Sequence, residues 1–82
     1  MNARLISVKG EEEFADLIGV YGTLNLEHNW FLPNDDGDML SFLVKRKTFV
    51  DDKVKVFTKL GNIFTFRVLR KTQNGESDDL AK

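Results

Sequence analysis

The chain has 82 residues, no cysteine, one proline and a net charge of −1. That length allows one small domain whose core lies near the lower limit of self-sufficiency, and without Cys neither a disulfide nor a Cys-ligated zinc can reinforce it. No apolar run approaches a membrane span, and the opening MNARLISVKGEEEF lacks the pattern of a secretory leader, so a cytoplasmic setting without membrane contact is expected.

In chain order, ARLISV is rich in apolar and β-branched residues and suits a short first strand. KGEEEFADLIGVYG changes period: Phe14, Leu17 and Ile18 recur at helical spacing, Val20 and Tyr21 extend the apolar side, and Glu11, Glu12 and Glu13 would complement a helix dipole. A helix limited by Gly19 and Gly22 is expected. TLNLEHNWFLP reads as extended as far as Pro33, with Trp30 and Phe31 on opposite faces of a strand. NDDGD is a turn by composition. It is no EF-hand, because with Gly37 at loop position 6 the first ligand position falls on Leu32. From Met39 onward the pattern is strand, turn, strand, turn, strand. The polar QNGESDDLAK, residues 73–82, reads as a disordered, solvated tail.

The expected architecture is therefore α+β: a single domain over residues 1–72, in which a short N-terminal strand and one helix pack on an antiparallel β-meander curled toward a small, partly closed barrel.

Register decides which side chains share a face. A two-residue loop at Asp51-Asp52 would set each apolar row beside lysines, so a three-residue loop, Asp51 to Lys53, is expected, with Val50 and Val54 on one face. Gly61-Asn62 suits a type II′ turn pairing Leu60 with Ile63 and Phe57 with Phe66. One face then collects Leu40, Phe42, Val44, Val50, Val54, Val56, Leu60, Ile63 and Leu69, interrupted by Arg46 and Arg67. The other mixes Phe49, Phe57, Phe64, Phe66 and Val68 with Lys45, Lys47, Lys55, Lys59 and Arg70.

Charge is unevenly spread. Residues 1–42 carry two cationic against eight acidic side chains, and residues 43–72 carry nine against two. A basic face interleaved with rings is what single-stranded nucleic-acid binders use, since rings stack on bases and cations neutralise phosphates. The structural alternative is that the helix covers the Phe rings while lysine stems run along apolar surface to water. Trp30 and Phe31 form a second candidate surface, because adjacent rings point to opposite faces and Trp is enriched at binding hot spots; the structural alternative is that both rings close the ends of the core.

Nothing in the sequence spells catalysis. His28 is the single histidine, Ser41 lacks the glycines of a nucleophile elbow, and no Gly-rich phosphate loop precedes a helix. No cofactor or metal is implied. The leading expectation is a non-enzymatic regulator or inhibitor that docks on another protein through Trp30, Phe31 and the basic aromatic face. The alternative is a single-stranded RNA or DNA binder using that face. A homodimer is a third possible partnership, since apolar residues on both sides of the meander exceed what one helix can cover.

Overall fold

A computed structural model describes residues 1–10, 12–35 and 37–69; the expected tail at 73–82 lies outside them. Seven strands form one antiparallel sheet: β1 (Asn2–Lys9), β2 (Tyr21–Asn25), β3 (Trp30–Pro33), β4 (Leu40–Ser41), β5 (Val44–Val50), β6 (Lys53–Thr58) and β7 (Ile63–Val68). Their order is β4-β3-β2-β1-β7-β6-β5, which places the first strand between the second and the last.

The α+β expectation is overturned, because the segment taken for a packed helix is a six-residue 3₁₀ helix, Glu12–Leu17. Its period explains the difference. Phe14 and Leu17, three apart, lie on one side of a 3₁₀ helix and pack against the core. Ile18, which an α-helix would have added to that stripe, is exposed. Ile18 N–H donates to Ala15 O and Val20 N–H to Leu17 O, both three residues back. Gly19, at φ 97°, then turns the chain into β2. The extended reading of residues 23–33 also fails, since a hairpin turn divides it. Asn25 Oδ1 accepts from His28 N–H at 2.7 Å, and Asn29 takes φ 60°, a conformation that Asn tolerates better than most residues.

The two edges of the sheet meet through the chain itself. Leu40–Ser41 pairs with β3, Phe42 N–H continues that ladder to Asn29 O at 2.8 Å, and the next residue, Leu43, accepts from Lys59 N–H at 2.7 Å. Val44 then pairs with Thr58. One bent strand thus hydrogen-bonds β3 at its start and β6 thereafter, which curls the sheet around a shared interior. Rings fill that interior in a continuous series. Phe14 meets Phe64 edge-on at 5.2 Å, Phe64 meets Phe42 at 5.0 Å, Phe42 meets Phe66 at 5.9 Å and Phe66 meets Phe31 at 4.9 Å. Ala3, Leu5, Leu24, Val54 and Val56 complete the core.

Both expected registers are corrected. Val50 pairs with Lys53 across a two-residue turn, and Phe49 with Val54. Asp51 supplies the positive φ, 56°, that such a turn needs at its first central position. At the second turn Phe57 pairs with Ile63 and Thr58 N–H donates to Asn62 O, so the loop is Lys59-Leu60-Gly61. Gly61, at φ 92°, takes the third position of that loop, where a left-handed residue is required. The two faces are therefore divided differently from the expectation: Phe64 and Phe66 point inward beside Val56 and Val54, while Val50, Leu60 and Leu69 are exposed.

Candidate functional site

Three rows of side chains cross the outer face of β5, β6, β7 and β1. They follow from the observed register, since side chains alternate along each strand and directly paired residues share a face. The first row runs Val50, Lys53, Arg67, Arg4 and on to Tyr21 in β2. The second runs Thr48, Lys55, Thr65, Ser7, and the third Arg46, Phe57, Ile63, Lys9. Cations thus flank a central row containing three small hydroxyl residues.

The first row contains two like-charge neighbours in direct register, Lys53 with Arg67 and Arg67 with Arg4. Such pairs oppose sheet formation by about 0.2–1 kcal/mol each. Asp52 offsets part of this cost through an ion pair with Arg67 at 3.5 Å. Both side chains are close to half exposed, so solvent screens that attraction. Arg4 lies over the Tyr21 ring at 5.4 Å and donates from Nε to Gly19 O at 3.3 Å. Each contact holds the guanidinium against the surface.

Around Phe57 the face is hollowed. The Arg46 guanidinium lies over its ring at 4.2 Å. A β-bulge between Val44 and Arg46 inserts Lys45 as an extra residue, and a bulge re-aims side chains that strict alternation would send elsewhere. Lys45 and Arg46 accordingly line the same cleft, of about 390 Å³, with Phe57 and Ile63 as its apolar wall. A second cleft, about 350 Å³, lies along Thr48, Val50, Lys53 and Lys55 and again includes Phe57.

The structure separates the residues singled out from the sequence. Lys55 and Phe57 stand on this outer face, Lys45 joins them through the bulge, and Lys59 lies at the hairpin tip. Phe64 and Phe66 are buried in the core, as is Phe31. Lys47 and Phe49 alternate to the opposite side of β5. Phe49 is 63% exposed, and Lys47 reaches the β2–β3 turn, where Nζ donates to Leu26 O at 2.5 Å and Asn29 Oδ1 at 3.0 Å. Trp30 is half-buried on β3, two strands from β1. Missing from the expected site were Arg4, Arg46, Lys53 and Arg67. In the expected register Arg46 and Arg67 fall on the core face, and the observed turn lengths place both outward.

Among the described residues no cluster of His, Asp or Glu is arranged to hold a metal, and no helix is long and apolar enough to cross a membrane. Comparison with protein-family models, with curated proteins and with solved structures gives no match.

Proposed function

We propose that this chain is a non-catalytic binding protein for single-stranded nucleic acid, with the outer face of β5, β6, β7 and β1 as its contact surface. The carrying observation is the row Lys53, Arg67, Arg4, three cations in direct register on adjacent strands. A polyanion lying across that row turns a local repulsion into attraction, and the partly exposed hydroxyls of Thr48 and Ser7, on either side of the buried Thr65, offer hydrogen bonds to phosphate or sugar. Phe57 and Tyr21, each with an arginine against it, add ring surface of the kind that stacks on bases. The overall charge of −1 is no obstacle, because binding responds to the local field.

Fluorescence anisotropy of labelled single-stranded RNA and DNA, taken across a salt series, tests the reading. Release of about 0.7 counterion per phosphate contact predicts a log–log slope of about −3.5 if Arg4, Arg46, Lys53, Lys55 and Arg67 all engage. No binding at low salt would refute it.

A second reading retains the regulator that docks on another protein. It is favoured by Leu43 and Leu60, both exposed and both lining one shallow hollow of about 130 Å³. A protein partner whose binding is lost in Leu60→Ser and kept in Arg67→Ala would transfer the function to that end of the molecule; a second copy of the chain is one such partner.

A further inference from the structure

The two clefts on the outer face share one wall, the Phe57 side chain. Their chemistry also repeats. Each combines two cations with apolar surface: Lys45 and Arg46 with Ile63 in one, Lys53 and Lys55 with Val50 in the other. Volumes of about 390 and 350 Å³ are at the lower end of the range that holds small organic ligands, about 300–1,000 Å³.

The register sets a lower bound on their spacing. Arg46 and Phe57 form one cross-strand pair, and Thr48 and Lys55 form the next outward-facing one. Two residues along a strand amount to about 6.8 Å, and this is a lower bound, because the first cleft extends past Phe57 to Thr58 and Gly61 and the second back to Lys53. Bases stacked in a duplex are about 3.4 Å apart along each strand. A nucleic acid whose bases occupy both clefts must therefore be unstacked between them, and a base lying in a surface cleft must also leave its pair, which a closed duplex does not offer. Each cleft also has a flat surface for a base. In the first it is the Arg46 guanidinium over the ring, in the second the Phe57 side chain itself, and both kinds of surface take unstacked bases.

We propose that the clefts on either side of Phe57 hold two consecutive nucleotides of an extended single strand running along β6, with the phosphates between Lys45 and Arg46 at one end and Lys53 and Lys55 at the other. The inference rests on the nucleic-acid reading above and adds a site that contacts bases to a face that contacts phosphates.

The test compares labelled oligothymidylate of ten nucleotides, an abasic strand of the same length and a blunt duplex, all at low salt. Oligothymidylate binds about tenfold or more tightly than the abasic strand, as one or two stacked bases supply, and the duplex behaves like the abasic strand. Phe57→Leu abolishes the difference between oligothymidylate and the abasic strand. Because that variant could fold poorly, a second measurement uses the wild-type chain: NOEs between the Phe57 ring and thymine protons in the complex. Equal binding of the two strands, or a complex without those NOEs, overturns the two-base site while leaving the phosphate-binding face in place. Binding of neither strand overturns both.

Discussion

The Arg46 guanidinium carbon sits 4.2 Å from the centre of the Phe57 ring, the two residues being direct cross-strand partners on the outer face. A cation held over a ring in partly solvated surroundings contributes about 0.5–1 kcal/mol. Arg46→Ala is thus expected to lower stability by no more than about that amount, measured by urea denaturation. If the proposed nucleic-acid face is correct, the same variant also loses a phosphate contact, and its salt slope for single strands becomes shallower by about 0.7.

The row of like charges makes the opposite trade. Lys53→Thr removes the cation facing Arg67 and substitutes a residue that favours strands, so the domain is expected to gain about 0.2–1 kcal/mol. Nucleic-acid binding should weaken uniformly across sequences, since a phosphate contact carries no base information. A variant both less stable and unaltered in binding would show that the row has no anionic partner.

Lys47 distinguishes a structural lysine from those on the proposed contact face. Its ammonium group bonds the backbone of Leu26 and the side chain of Asn29 in the β2–β3 turn, and hydrogen bonds from charged groups contribute about 1.5–3 kcal/mol. Because the group is only partly buried, Lys47→Ala is expected to cost about 1–2 kcal/mol. Lys55→Ala, exposed in mid-strand, should cost under about 0.5 kcal/mol. Their effects on binding should be reversed: little for Lys47, a clear loss for Lys55.

Two glycines respond differently to a methyl group. At Gly61, with φ 92°, an added Cβ meets open space, and the penalty is the left-handed backbone alone, about 1–2 kcal/mol. At Gly22 a Cβ would run into Leu32 O and come within 2.8 Å of the Phe31 ring, which is fully buried. Gly22→Ala is therefore expected to be the more damaging, at about 1–3 kcal/mol or above, read from melting temperatures.

Truncating the ring series gives the largest effect. Phe66 touches both Phe31 and Phe42, and Phe66→Ala should cost about 3–5 kcal/mol. That is a large share of what a small domain possesses. Circular dichroism should show substantial unfolding at room temperature.

The strands after Met39 and the first strand were legible because alternation of Val, Phe and Lys has only one period. Face assignment was not, because it depended on the parity of two short loops. Asp51-Asp52 could close a two- or a three-residue turn, and composition favoured the version that kept lysines away from valines. The chain uses the other, and in that register Lys47 reaches hydrogen-bond acceptors in a turn 18 to 21 residues earlier, a contact no local pattern reveals. Phe14 and Leu17 misled in a different way: three-residue spacing fits both helix types, and only the positive φ of Gly19 shows how soon the segment must end. The basic character of the second half is plain from composition alone. The contribution of Arg4 was hidden because β1 reaches that face only through its pairing with β7.

That pairing sets the order in which the molecule can be made. Ala3 lies opposite Val68, so within this domain β1 waits for β7, the last of the seven strands in chain order. The hairpins β2–β3, β5–β6 and β6–β7 can form as their turns emerge, whereas joining β1 to β7 closes a loop of nearly the whole domain. Contacts so distant in sequence slow folding. Until the join is made, β1 presents an unpaired edge carrying Leu5 and Val8, and it is during that interval that the chain is open to pairing with another copy of itself.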